Sequence, residues 1–108
     1  MAKYGLVEFW RPRAEWYALS RAEKERFVAG IRENVGSLER RGAKLLGVYL
    51  CRATSDWDGM AFWECPNTEM VEAVAEGSES HDWYRYFEGR NVAGNLQTLE
   101  DWIAHVVR

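Results

Sequence analysis

The stretch from Ser20 to Gly42 dictates one long helix, and the rest of a 108-residue chain must be arranged around it. Ser20-Arg21-Ala22-Glu23 has capping-box spacing: the serine hydroxyl can accept the third helical N–H while the glutamate carboxylate reaches back to the serine N–H. Phe27, Ile31, Val35 and Leu38 follow at helical intervals, and Val28 widens the stripe. Arg40 and Arg41 suit the negative end of the helix dipole, and Gly42 suits the left-handed position that ends a helix. The spacing predicts a helix over about 21–41 with one apolar face to cover.

What covers that face reads in period two. Residues 4–10 form a strand, with Tyr4, Leu6, Glu8 and Trp10 on one side and Val7 and Phe9 on the other, closed by Pro12. Arg13 to Leu19 is a loop or single turn anchored by a buried Trp16. Residues 44–52 alternate, Leu46, Val48 and Leu50 against Leu45, Tyr49 and Cys51. Thr54 to Gly59 reads as a turn whose glycine supplies positive φ. A returning strand at 60–65 sets Phe62 opposite in facing to Trp63, and Pro66 ends it. Asn67 or Thr68 caps a second helix to about Ala75, Gly77 interrupts it, and a further helical piece holds His81 to Phe87. A weak strand from Asn91 to Leu96 precedes a closing helix at about 99–107, in which Leu99, Trp102, Ile103 and Val106 share a face.

The order is β-α-β-β-α-β with a short closing helix, the ferredoxin-like α+β arrangement. It is expected as a single domain over 1–108. Both faces of the central hairpin carry apolar groups, so a second copy is expected to cover the sheet in a two-fold homodimer.

Composition narrows the partners. The net charge of −3 comes without a basic stripe, which argues against nucleic acid. No apolar run reaches membrane-span length and no signal peptide opens the chain, so no membrane partner is expected and the cytoplasm is the default location. Cys51 and Cys65 read as plain thiols. His81 and His105 stand far apart without metal-ligand spacing, so no metal site is expected; His105 reads as a surface residue. Gly-x-Ser-x-Gly and phosphate-cradling glycine loops are lacking.

The chemistry gathers at Ser80-His81-Asp82-Trp83-Tyr84-Arg85-Tyr86-Phe87, where one histidine stands among four rings. Six Trp, five Tyr and four Phe in so short a chain suggest a pocket for a flat or unsaturated ligand. His81 is the leading acid/base or ligating group, since its pKa lies near neutrality. Adjacent helical residues point apart, so Glu8 or Glu64 is a better orienting carboxylate than Asp82. Glu8, if it enters the pocket, becomes a usable base. Tyr84, with Tyr49 and Tyr86, can donate to a developing oxyanion. The remaining ligand-binding candidates are Trp10, Trp63, Trp83 and Asn91, with Asn95 on the same strand face as Asn91.

The strand end Phe62-Trp63-Glu64-Cys65, then a helix, then His81 and its aromatic segment resemble the dimeric α+β barrel superfamily over about residues 3–96. That superfamily includes antibiotic-biosynthesis monooxygenases, small haem-degrading monooxygenases, stress-responsive barrel proteins and related polyketide cyclases. The resemblance implies for His81 the position of a cyclase's catalytic histidine or of a haem axial ligand. Haem-degrading members also use an asparagine in the first strand, where this chain has Glu8. The closing helix is a second departure. Three readings follow. The leading one is a cofactor-independent monooxygenase or isomerase/cyclase that acts on an aromatic or polyketide-like molecule by histidine-assisted proton transfer. The alternatives are a haem-binding or haem-degrading protein with His81 as axial ligand, and a non-catalytic dimeric stress or ligand-binding module.

Overall fold

The computed structural model describes residues 3–51, 56–80 and 82–108, with 78–80 as backbone alone. Its elements run β1 (Tyr4–Pro12), α1 (Ala14–Tyr17), α2 (Arg21–Arg40), β2 (Lys44–Leu50), β3 (Gly59–Cys65), α3 (Thr68–Ser80), α4 (Trp83–Tyr86), β4 (Phe87–Asn95) and α5 (Leu99–Val106). The four strands form one antiparallel sheet in the order β2-β3-β1-β4, which is the ferredoxin-like arrangement. Among the described residues no helix is long and apolar enough to cross a membrane.

α2 starts as its sequence dictates. Ser20 Oγ accepts from the Glu23 N–H at 3.2 Å, and the Ser20 N–H donates to Glu23 Oε1 at 3.1 Å. The Ser20 N–H, and after it the Ser20 hydroxyl, holds the Glu23 carboxyl below its usual range. Ser20→Ala is expected to cost about 1 kcal/mol, read as a drop in melting temperature of about 4–8 °C. Because the Glu23 pKa is lowered on folding, the stability it lends is complete above the ordinary Glu value of about 4.3 and is lost as pH falls through the lowered value. The helix ends at Gly42, whose φ of 110° is the left-handed conformation expected there.

One face of the sheet packs against α2 and α3. Leu6, Ala61, Trp63 and Cys65 from the sheet meet Leu38 of α2 and Met70 and Val74 of α3 in the core. The opposite face carries Val7, Phe9, Met60, Phe62, Tyr49 and Val92, with Tyr49 54% and Val92 50% exposed. Tyr49 and Phe62 meet edge to face there, with centroids 5.6 Å apart.

Several elements depart from the expectation. α3 does not stop at Gly77 but continues to Ser80. Its close neighbour explains why glycine sits in mid-helix: a Cβ on Gly77 would lie 2.6 Å from Asn34 Nδ2 of α2. Asn67 supplies the α3 cap, its Oδ1 accepting from Met70 N–H at 2.9 Å. The helical piece expected to reach Phe87 shrinks to one turn, and β4 begins at Phe87 because Phe87 pairs with Pro12. A bulge between Leu45 and Gly47 turns Leu45 to the same side as Val48, against the plain alternation expected. Gly59 has no positive φ; it opens β3 beneath Trp10, where a Cβ would lie 2.7 Å from the indole. Trp16 is half-buried on α1, packed against Phe27 and Phe87 at 5.5 and 4.9 Å.

Candidate functional site

The register of the sheet builds the floor of a cavity. Val48, Ala61, Glu8 and Asn91 pair across all four strands and so form one row on the helix side. Trp63 and Leu45 flank this row on one side, and Trp10, over Gly59, flanks it on the other. Small residues at 59 and 61 leave room between sheet and helices. Ile31, Asn34, Val35 and Leu38 of α2 and Val74 of α3 form the roof, and Trp83 closes one end. The enclosed volume is about 200 Å³, and the lining is mostly apolar. Val48 is 57% exposed, so the cavity opens along the β2 edge.

Among the described residues, Glu8 is the one charged side chain in that lining. Its Oε1 accepts a hydrogen bond from Trp63 Nε1 at 2.6 Å. A buried indole N–H needs an acceptor, and strand register supplies it on the neighbouring strand, two positions along from its partner Leu6 and on the same face. Asn34 and Asn91 add amide groups at the roof and floor. Burial raises the Cys65 thiol pKa, and the charges of Glu8 and Glu64 raise it further, so this thiol stays protonated and unreactive. Among the described residues no group of three His, Cys, Asp or Glu side chains stands ready to hold a metal ion.

The walls continue into an aromatic cluster. Trp83 stacks on Phe87 with centroids 4.2 Å apart and an interplanar angle of 14°, and it meets Trp10 edge-on at 5.8 Å. Phe27 joins Trp83 and Tyr86 at 6.3 and 5.2 Å. Trp83 therefore belongs to both the cavity wall and the packed cluster behind it.

Of the residues singled out from sequence, Glu8, Trp10, Trp63, Trp83 and Asn91 come together around the cavity. Tyr49 does not: its register partner is Met60, which puts it on the opposite face of the sheet. Tyr86 packs against Trp16 and Phe27 instead of the cavity. Tyr84 is not in the lining either; its carbonyl accepts from Arg13 Nε at 3.0 Å, and its ring lies close to Gly89. Glu64 faces away from Glu8 and is ion-paired with Lys3 at 3.1 Å, so it cannot orient a group in the cavity. His81 lies outside the described residues. Asn34 was missed, although an uncharged amide three residues from Ile31 and four from Leu38, inside the apolar stripe of α2, was a readable signal.

No curated protein matches this chain. Solved structures do. An arginine-to-lysine mutant of the chlorite dismutase from Candidatus Nitrospira defluvii superposes with a TM-score of 0.79 at 16% identity, over 97% of this chain and 44% of that one. The same enzyme in complex with imidazole gives 0.67 at 18%, over 89% and 40%. A tryptophan-to-phenylalanine mutant in complex with cyanide gives 0.62 at 17%, over 89% and 40%. The likeness is one of fold, and this chain spans less than half the length of those chains. Residues 3–108 match the model of a family of unknown function, DUF6616, and the chain belongs to that family.

Proposed function

We propose that this chain binds a flat conjugated ligand, haem, between the sheet and α2. The observation that carries this reading is the sheet-wide apolar slot, floored by Val48, Ala61, Glu8 and Asn91 and bounded by the indoles of Trp10 and Trp83. A plate can enter edge-first from the β2 side, where Val48 and Leu50 are exposed. The fold shared with chlorite dismutases supports the choice, as do the imidazole and cyanide in two of those structures, since both are ligands of transition-metal ions.

The residues offer the buried edge of such a plate apolar walls and one carboxylate acceptor. Ile31, Val35 and Leu38 exclude water from the roof, and the two indoles bound the slot. His81 precedes by two residues the α4 turn that carries Trp83, and it is the candidate axial ligand. Glu8, held by Trp63, is the acceptor suited to an imidazole N–H, which fixes the tautomer and raises ligand basicity. When bound, haem supplies an iron centre whose reactivity those neighbours tune. The enclosed 200 Å³ takes only part of a porphyrin, so its outer edge would rest on the exposed strip of β2.

A specific observation favours a second reading. The enclosed volume falls below the roughly 300 Å³ at which drug-sized pockets begin, and among the described residues the lining carries no Lys or Arg for the two haem carboxylates. A one-ring phenol or related molecule fits within it, with Glu8 as the proton acceptor.

Hemin titration followed at the Soret band separates the two. A saturable shift at one haem per chain is expected, abolished in His81→Ala and weakened about 10–100-fold in Glu8→Gln. No saturable shift overturns the haem reading. Quenching of indole fluorescence by simple phenols, lost when Ala61→Leu fills the floor, would then support the smaller ligand, and no quenching would overturn that as well.

A further inference from the structure

Among the described residues, two apolar surfaces are left largely uncovered. The first is α5. Thr98 and Asp101 form a capping box, with Asp101 N–H donating to Thr98 Oγ1 at 3.0 Å and Thr98 N–H donating to Asp101 Oδ2 at 3.3 Å. Leu99, Trp102, Ile103 and Val106 then line one side of the helix, and all four are exposed, from 37% for Ile103 to 68% for Leu99. An eight-residue helix is too short to be stable in water by its own hydrogen bonds, below the roughly 12–15 residues at which isolated helices become marginal. Its stability must come from packing, yet among the described residues that stripe stays largely uncovered. The family match runs through residue 108, so this helix is part of the family's common sequence rather than an appendage peculiar to this chain.

The second surface is the sheet face turned away from α2, with Tyr49 and Val92 half exposed beside Val7, Phe9, Met60 and Phe62.

We propose that α5 is an intermolecular arm: in a two-fold dimer the Leu99–Trp102–Ile103–Val106 stripe of each copy docks on the outer sheet face of the other. Three observations select a second copy as the occupant. Both surfaces are present on every chain, so one two-fold operation covers all four at once and leaves no open end for further growth. Area points the same way. Four strands about 4.8 Å apart and seven residues long span only about 450 Å², short of the roughly 800 Å² per partner that a stable dimer buries. The arm adds the apolar area the bare sheet lacks. Charge agrees as well: Glu100 and Asp101 stand in the first turn of α5, while the outer sheet face carries Arg90 beside Phe9, with no ion-pair partner among the described residues. This inference goes beyond ligand binding and does not depend on it.

The test is sedimentation equilibrium on the full chain, on Trp102→Glu, and on Val92→Glu, with circular dichroism on each. The wild type is expected to be a dimer. Both variants are expected to be folded and to raise the dimer Kd by about 30-fold or more, the loss of one interface hot spot. Neither side chain packs in the core, so folding should survive; a weaker probe, Glu100→Lys, gives a smaller rise in the same direction. A monomeric wild type overturns the proposal. So does a dimer that Val92→Glu breaks and Trp102→Glu leaves intact, since the sheet would then pair without the arm.

Discussion

Trp63→Ala is expected to remove about 3–5 kcal/mol of stability, a large share of the 5–15 kcal/mol that holds a typical domain together. Trp63 is 4% exposed and packs with Leu6 and Leu38 at the centre of the core. Its loss opens a cavity where β1, β3 and α2 meet, and those elements cannot all collapse into it. The indole also has a polar task. Trp63→Phe keeps most of the apolar bulk but withdraws the N–H that Glu8 accepts at 2.6 Å. Leaving a half-buried carboxylate short of that donor is expected to cost about 1–3 kcal/mol. Urea unfolding of both variants separates packing from hydrogen bonding. A Trp63→Phe chain as stable as the wild type would mean that the bond contributes nothing to stability, and that Glu8 is positioned by other contacts.

How much of this was legible depends on what each feature rests upon. α2 was readable to within one residue because its cap, stripe and terminating glycine are local signals that agree. β1 was readable on the helix side for the same kind of reason: period two puts Leu6, Glu8 and Trp10 together whatever they face. The partnership of Glu8 with Trp63 was not legible in the sequence, because it depends on how β1 and β3 slide past each other. Register also misled the placing of Tyr49. On its own strand it could serve either face; pairing with Met60 settled it away from the cavity. The bulge at Leu45–Gly47 left no clear trace in the alternation of apolar residues.

The stretch from Gly77 to Arg90 was least legible. Gly77 looked like a helix breaker, since a helix interior glycine costs about 0.5–1 kcal/mol relative to alanine. The reason for keeping it lies 43 positions away in the side chain of Asn34. The beginning of β4, Phe87-Glu88-Gly89-Arg90, lacks alternating β-branched residues, and its strand character comes from pairing with β1. That pairing is reinforced by Arg11 Nε, which donates to Glu88 Oε2 at 2.5 Å and holds the Glu88 carboxyl below its usual range. Propensity could not report either tertiary cause.

Gly59 offers a sharper separation of local from tertiary causes. Gly→Ala in a strand usually gains a little stability, because alanine has less backbone entropy to lose. Here Gly59→Ala is expected to cost about 1–3 kcal/mol, the usual penalty of overpacking, because the new Cβ would sit 2.7 Å from the Trp10 ring. Backbone strain is not the cause, as Gly59 has no positive φ. The double-mutant cycle with Trp10→Ala tests that attribution. With the indole gone, Gly59→Ala should cost less than about 0.5 kcal/mol, so the two changes are strongly non-additive. An undiminished cost in the Trp10→Ala background would return Gly59 to the role its sequence suggested, a turn glycine kept for its backbone. The indole displaced by Gly59→Ala is also a wall of the cavity. Ligand affinity should therefore fall in that variant even under conditions where the chain remains folded, linking a missing methyl group in β3 to the shape of the site.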